Sequence, residues 1–396
     1  MIGLFILNSD LDALKAKGVA GMIGERTERG YLSRVITLHP MAKETRVVDA
    51  GPELPVHELA LPAFEGARVR RWLGFIAHVF WAAIYARRLA LRESASFVRA
   101  QDPYFSGLIG FLATRWPRVP FCISIHADYD QRHALDGKQG APKILGSRNL
   151  AKRLERFLLR RADLVMPIRE SLRIQAIGHG ASSERTVVFP HAVDFQSIDK
   201  VDPALPHEVK VRAVGRKVLL FTGRLSRENY VWDVVEVARR IVGRGDCIFV
   251  FIGLGPELDA VRSACSADEA LRGTVIVCGP LERRAVHAAQ KAAYAGLVLM
   301  GGFTLIEFCA ARRPCVAYDV EWHRDLIEDG KTGMLLREGD REGLYKVLSR
   351  LLDEPDFAGQ LGQAAYTRAR AQHDVESVMT IRRNIYQRLT AERTLL

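Results

Sequence analysis

Three residues of chemically active type stand at the ends of apolar runs in this chain: His126 after Phe121 to Ile125, Arg224 after Lys217 to Gly223, and Glu307 shortly after Gly301-Gly302. The surroundings of Glu307 are the most informative. An apolar run from Gly296 to Met300 meets two glycines, Thr304 offers an N-cap hydroxyl, a helical pattern follows, and Pro314 opens a second apolar run ending at Asp319. That order reads strand, glycine turn, helix, strand. In a parallel α/β sheet such a turn lies at the carboxyl ends of the strands, where backbone N–H groups and the helix dipole favour a phosphate. One turn into the helix, Glu307 can accept hydrogen bonds from two vicinal ribose hydroxyls. The same pattern also describes an ordinary βαβ unit with a surface glutamate, because a Gly-Gly turn before a helix is common.

Arg224, beside Gly223 at a strand end, suits bidentate neutralisation of a diphosphate or a surface pair with a carboxylate. His126 stands at a strand end, where α/β folds put chemistry; a hydrogen-bonder or proton carrier in a cleft and a satisfied structural histidine are its two readings. Asp128-Tyr129-Asp130 matches a D-x-D metal pattern only formally, and a structural or acceptor-contacting role is preferred to Mg²⁺. Gly253-Leu254-Gly255-Pro256 lacks the third glycine and the acidic residue of a dinucleotide fingerprint, which disfavours NAD. The small-residue loop Lys15 to Arg26, with Gly18 inside it, suits close approach of backbone to a ligand or a plain surface connection.

These residues need elements to hold them. Strands are expected at 3–7, 33–37, 96–99, 121–125, 164–167 and 186–189, then at 217–222, 247–252 and 275–279, with helical patterns between most of them. Residues 1–196 read as one α/β domain. The polar, proline-containing stretch 197–216 reads as a linker and 217–374 as a second domain, with helical patterns at 341–352 and 374–393 to finish. A chain of 396 residues accommodates two such domains.

Its 48% hydrophobic and 26% charged residues are those of an ordinary globular protein. Six cysteines without a C-x-x-C pair, most within apolar runs, point to buried free thiols in a reducing compartment, so cytoplasm is the expected location. The start of the chain, a strand-like run without a basic region before it, argues against a signal peptide. A net charge of +11 is compatible with nucleic acid, anionic membrane or phosphorylated substrates. Without an RNP motif, a zinc finger or a recognition helix, nucleic acid is not expected. Residues 68–88 suit a membrane surface: Arg68-Val69-Arg70-Arg71-Trp72 leads into the almost wholly apolar run Leu73 to Ala86, and Arg87-Arg88 closes it. That run is too short to span a bilayer, which takes about 20 residues. A core helix packed on a sheet and a helix lying in the headgroup region are its two readings.

Taken in order, these features resemble glycosyltransferase family 4, retaining nucleotide-sugar enzymes with the GT-B fold. The resemblance covers nearly the whole chain. It is carried by Gly223-Arg224-Leu225, by Gly253-Leu254-Gly255-Pro256-Glu257, by the glycine turn with Leu305-Ile306-Glu307, by Arg313-Pro314 through Asp319, and by Ile327-Glu328-Asp329-Gly330-Lys331-Thr332-Gly333. Arg161 to Val165 and Pro190 to Asp194 are further landmarks. The resemblance implies two Rossmann-like domains with parallel sheets facing across a cleft, the last helix (about 375–396) crossing back to the first domain. It gives Arg224 the diphosphate, Glu307 the ribose, Gly302, Phe303 and Thr304 backbone N–H groups for phosphate, and His126 a place beside the transferred sugar. Gly223 belongs to the same phosphate turn, and Lys17 and Gly18 fall where the family's first glycine loop nears the donor.

Two departures stand out. The family's lysine five residues after the arginine is Asn229 here, with Arg227 the candidate replacement. The first of the family's paired glutamates, eight residues before Glu307, is Leu299. The resemblance implies transfer of a sugar from a nucleotide-diphosphate donor to a glycan or lipid-linked acceptor in cell-envelope synthesis. Neither cofactor nor metal is expected, and the location is cytoplasmic, peripheral at the membrane if residues 68–88 bind it. A catalytically degenerate relative, or a nucleotide-sugar epimerase, is the alternative reading.

Overall fold

Runs that are apolar at every position decide the architecture. Phe121–Ile125 and Cys247–Ile252 are buried throughout, which requires cover on both faces, the condition of a parallel sheet flanked by helices. The structure is a computed structural model that describes residues 1–16, 23, 28, 30–63, 68–115, 118–130, 143–144 and 146–391. It divides into two units, Met1–Pro190 with Met379–Leu396, and His191–Val378.

Unit 1 runs β1 (Ile2–Ile6), α1 (Leu11–Ala16), β2 (Arg34–Ala42), β3 (Arg46–Asp49), β4 (Pro55–Ala60), α2 (Arg68–Arg92), β5 (Phe97–Ala100), α3 (Phe105–Ala113), β6 (Phe121–Ile125), α4 (Arg148–Leu159), β7 (Leu164–Pro167) and α5 (Glu170–Gly178). Its seven strands lie in the order β3-β4-β2-β1-β5-β6-β7, parallel except for β3 against β4. The expected strand at 186–189 is an extended segment that bonds to β7 through Val187 N to Val165 O and Phe189 N to Pro167 O, and it forms only an isolated bridge. The β3–β4 hairpin was not expected, because Pro55, His57 and Glu58 break the apolar pattern of β4. Glu58 is nevertheless buried, accepting from Leu11 N at 2.7 Å and from Arg46 Nε at 2.5 Å.

Unit 2 begins with α6 (Phe195–Asp199) and α7 (His207–Arg212), then β8 (Lys217–Thr222), α8 (Val231–Ile241), β9 (Cys247–Ile252), α9 (Leu258–Ala267), α10 (Glu269–Arg272) and β10 (Val275–Gly279). It continues with α11 (Arg283–Ala292), β11 (Ala295–Leu297), α12 (Phe303–Ala310), β12 (Cys315–Tyr318), α13 (His323–Leu326), β13 (Met334–Leu336), α14 (Arg341–Asp353) and α15 (Pro355–His373); the last helix, α16 (Val375–Ala391), belongs to unit 1 from Met379 onward. All six strands are parallel in the order β10-β9-β8-β11-β12-β13, so the chain reverses its direction of sheet growth between β8 and β11. Phe221, Phe249, Phe251 and Leu297 fill the core beneath, each such side chain contributing about 1.5–3 kcal/mol by burial.

The stretch 197–216 is not a linker. Phe195, Ile198 and Val209 are buried in the core of unit 2 with Val218 and Phe308, so apolar residues one turn apart outweigh the polar composition. Helix α15 also escaped the sequence reading, because Gly359 and Gly362 weaken its pattern; a Cβ at Gly362 would stand 2.4 Å from Arg312 O, so glycine permits the helix to pack against that backbone. All six cysteines are free, five of them buried. Among the described residues no helix is long and apolar enough to cross a membrane.

Candidate functional site

Ligands of open parallel sheets bind outside the carboxyl ends of the strands where the strand order reverses. In unit 2 that point lies between β8 and β11, and the loops following these strands carry Gly223-Arg224 and Gly301 to Glu307. The loop after β8 is tightly joined to the loop after β9, and that one to the end of β10. Gly223 N donates to Ile252 O at 3.0 Å, Leu225 N to Leu254 O at 2.8 Å, and Gly253 N to Gly279 O at 2.8 Å. Gly253 has φ +151° and a Cβ there would fall 1.8 Å from Gly223 O; one at Gly255 would fall 2.1 Å from Leu225 O. Glycine is needed at both positions for the two loops to lie backbone to backbone.

The first turn of α12 differs from the expectation in one respect. Gly302, and not Thr304, occupies the cap position, with no side-chain hydrogen bond to the turn, and Thr304 is the second helical residue. A glycine cap brings the chain into the helix earlier and leaves the N–H groups of this turn without a capping side chain, the arrangement that favours an anion. Gly223 lies close by: a Cβ on it would stand 3.8 Å from Thr304 Oγ1. The Phe303 ring lies against that of His191, centroids 4.4 Å apart. Arg224, the residue after Gly223, is exposed. Arg227 forms part of a 3-10 turn, where its Nε lies 3.2 Å from Glu257 Oε1; Glu257 also accepts from Trp232 Nε1 at 2.7 Å. Asn229 accepts from Ser226 Oγ at 3.0 Å and donates to Met300 O at 3.3 Å, tying the β8 loop to the residue before the glycine turn.

Glu307 points its carboxylate at a polar row on α11. Arg283 Nη2 lies 3.6 Å and His287 Nε2 3.4 Å from Oε1, and Gln290 Nε2 donates to Oε2 at 3.4 Å and to Thr222 Oγ1 at 3.2 Å. Burial pushes this carboxyl up, but the nearby His287 side chain, the charge of Arg283 and the Gln290 amide outweigh it and hold the group below the usual glutamate range. Residues 283, 287 and 290 were not singled out in the sequence, although their i, i+4, i+7 spacing on an otherwise amphipathic helix is the signal that would have found them. His323 was missed as well. It is fully buried, with Nδ1 2.7 Å from Tyr318 O and Nε2 2.9 Å from Gly301 O, and it pins the glycine turn to the end of β12. Leu299 is buried in the core.

In unit 1, His126 follows β6 directly. Desolvation first, and then the charges of Arg99 and Arg382, push its imidazole down to about 3. Arg99 lies on β5, donating to Ser124 Oγ at 2.6 Å and Tyr386 Oη at 3.1 Å, with its guanidinium over Phe5 and Phe189. Asp102, at the end of β5, accepts from Tyr104 N at 2.8 Å and from the Asn8 amide; burial pushes it up to about 6. Asp130 of the D-x-D sequence pairs with Arg148 at 2.8 Å and Lys152 at 2.9 Å. Among the described residues no group of His, Cys, Asp or Glu is arranged to hold a metal ion. Lys17 and Gly18 lie outside the described residues.

Residues 206–368 match the family model of glycosyl transferases group 1, and residues 16–192 match that of the glycosyl transferase 4-like domain. The chain is similar to the alpha-D-kanosaminyltransferase of Streptomyces kanamyceticus, 26% identical over 373 residues that cover 88% of this chain and 92% of the relative. It is also similar to the D-inositol 3-phosphate glycosyltransferase of Nocardia farcinica, 26% identical over 365 residues, 87% of this chain and 78% of that one. Among solved structures, Anabaena HepE in complex with UDP aligns over 100% of both chains at a TM-score of 0.71 and 16% identity. Sucrose-phosphate synthase from Thermosynechococcus elongatus aligns over 99% of each at 0.74 and 16%. The two α/β domains with parallel sheets are those of the GT-B fold. The chain is a glycosyltransferase of the group 1, 4-like family.

Proposed function

We propose that the chain transfers a sugar, with retention of anomeric configuration, from a nucleotide-diphosphate sugar to a hydroxyl of a glycan or lipid-linked glycan. The setting proposed is cell-envelope polysaccharide or glycolipid assembly in the cytoplasm, at the inner face of a membrane. One observation carries the reading. At the strand-order reversal of unit 2, Gly223-Arg224 follows β8 and the uncapped first turn of α12, with the Glu307 carboxylate one turn on, follows β11, the two loops tied by Asn229 donating to Met300 O. The structural neighbour HepE was solved in complex with UDP, which supports a nucleotide ligand.

In this proposal Glu307 accepts the two ribose hydroxyls. As the sugar–phosphate bond breaks, negative charge gathers on the departing nucleoside diphosphate. Arg224 and the N–H groups of Gly302, Phe303 and Thr304 meet it with dipoles already oriented, which is the form of electrostatic stabilisation that costs no reorganisation. Arginine and backbone carry this charge, so no metal is assigned to the step. The proposal keeps His126 beside the transferred sugar: a neutral imidazole adds no positive charge where the sugar becomes oxocarbenium-like. Arg227 serves as second phosphate cation only by leaving Glu257, and unchanged donor affinity in Arg227→Ala would remove it from the site.

The buried Leu299 and the bridging Asn229 favour a second reading, a family member that binds nucleotide sugar without turnover. Calorimetry and thermal shift of wild type and Glu307→Ala with UDP, GDP, dTDP and ADP, and with their sugars, test the donor site. Stabilisation by one nucleotide that is lost in Glu307→Ala is expected. Binding without sugar release in the presence of acceptor hydroxyls would favour the second reading; a sugar rearranged without acceptor would favour an epimerase; no binding at all would overturn the donor assignment.

A further inference from the structure

Helix α2 shows two apolar faces. Val79, Ala82, Ala83, Ala86, Leu89 and Ala90 are buried against the sheet, packed with Leu4, Ile6, Ile36 and Val98. A helix needs one such face. The opposite face is apolar too: Leu73 is 62% exposed, Ile76 44%, Phe80 53%, Ile84 51% and Leu91 45%, with Trp81 beside them at 46%. Positions 73, 76, 80, 84 and 91 fall on one stripe, about 27 Å long at 1.5 Å per residue. Large exposed side chains occur singly on most surfaces, whereas a contiguous stripe marks a contact.

The charges beside the stripe say what it meets. The helix contains six arginines and no aspartate or glutamate, so it supplies six of the chain's net +11 charges. Arg70, Arg87 and Arg88 are exposed, as is Arg92, which pairs with Glu93 just past the helix at 2.8 Å. Two copies of this helix packed on each other would set arginine against arginine with no carboxylate from either, and like charges at close range repel. An anionic lipid surface offers what the helix lacks: phosphates for the guanidiniums and a hydrocarbon boundary for Leu, Ile, Phe and Trp. Tryptophan beside arginine suits the headgroup depth.

We propose that α2 is the surface by which unit 1 adsorbs to an anionic bilayer, lying in the membrane plane with the 73–91 stripe in the headgroup–acyl boundary. The inference deepens the proposed use of a lipid-linked acceptor and rests on that reading for its purpose. The helix does not span the bilayer, since its other face is committed to the core of unit 1.

The test is flotation of the full chain with vesicles of phosphatidylcholine containing about 30% phosphatidylglycerol, compared with phosphatidylcholine alone. Wild type should float with the anionic vesicles at low salt and be released as NaCl rises to about 0.5 M. Phe80→Ser/Ile84→Ser and Arg87→Glu/Arg88→Glu should each bind about tenfold or more weakly. Brominated acyl chains should quench fluorescence in wild type more than in Trp81→Tyr. Calorimetry with UDP on the same proteins separates the two proposals: nucleotide binding unchanged in the α2 variants is expected, and its absence in wild type would strike the donor site without touching the membrane result. Wild type that stays unbound at low salt, or variants that float as well as wild type, would overturn the inference. So would a wild-type dimer in sedimentation that Phe80→Ser/Ile84→Ser dissociates, which would give the face to a second copy.

Discussion

Glu307→Gln separates charge from shape at the centre of the proposed donor site. Glutamine keeps the length and the acceptor oxygen of glutamate but not the charge. In the free protein it loses the ionic attraction of Arg283 at 3.6 Å while retaining polar contacts with His287 at 3.4 Å and with Gln290. A hydrogen bond to a charged acceptor is worth about 1 kcal/mol more than one to a neutral acceptor. Two ribose hydroxyls give about 2 kcal/mol, or about 30-fold in Kd. The assay is a calorimetric titration of the preferred nucleoside diphosphate at pH 7, with the melting temperature measured beside it. The carboxyl is depressed in the folded protein, so its contribution to stability is present above the unfolded glutamate range and is lost as pH falls through the folded value. Wild type should therefore melt above Glu307→Gln at neutral pH, and the two should converge in acid. An affinity within about twofold of wild type would refute the ribose contact, because a charged acceptor on two hydroxyls cannot be neutralised at so small a cost. Converging melting curves with unchanged affinity would leave Glu307 a purely structural partner of α11.

Three further outcomes are expected. Gly253→Ala puts a Cβ 1.8 Å from Gly223 O at φ +151° and should lose about 3 kcal/mol or more, at about 2–4 °C per kcal/mol in a unit of this size; an unchanged melting temperature would show that the two loops separate freely. His323→Ala removes both contacts of a buried ring, and nucleotide affinity should fall about tenfold even where the protein folds; retained affinity would mean that the glycine turn holds its shape unaided. His126 sits at about 3 when folded, below the unfolded histidine value, so between these limits the unfolded chain binds the extra proton and stability rises with pH. The slope due to this residue is about 1.4 kcal/mol per pH unit at most, its partial exposure making that a ceiling. Urea unfolding at pH 5 and pH 7 should show a smaller pH difference for His126→Asn than for wild type, and equal differences would sink this account.

The strands were legible because parallel sheets bury both faces: Phe121–Ile125, Leu164–Pro167, Lys217–Thr222, Cys247–Ile252 and Val275–Gly279 stand where the apolar runs put them. What escaped was structure whose polar residues are satisfied at long range. The β4 pattern is broken by Glu58, yet its carboxylate is answered by Arg46 and Leu11 N, and no local rule shows such a partner. Helices α6 and α7 hide within a polar stretch for a similar reason: one or two apolar residues per turn suffice once a core is there to receive them. At the site, Arg224 and the glycine turn could be read from the chain because backbone geometry needs glycine. The row Arg283, His287 and Gln290 shows in the chain only as a polar spacing on an amphipathic helix, because its meaning depends on Glu307 lying opposite.

The same contrast gives Asn229 its place. Where the family resemblance leads one to expect a lysine, this chain has a side chain that bridges the Ser226 hydroxyl and the Met300 carbonyl. His323 holds the next residue, Gly301, from the other side. Both contacts fix backbone, and the Asn229 amide brings no formal charge close to a phosphate. Within the proposed function, then, the diphosphate is met by one exposed arginine and by N–H groups whose directions are set in advance. Fixed dipoles act at full strength without a side chain having to be ordered first. A lysine at position 229 would add a cation and remove the link that orients the turn. Asn229→Lys is therefore expected to weaken nucleotide binding at high salt, where added charge is screened and the lost link is not; stronger binding at every salt concentration would show that charge, and not orientation, limits this site.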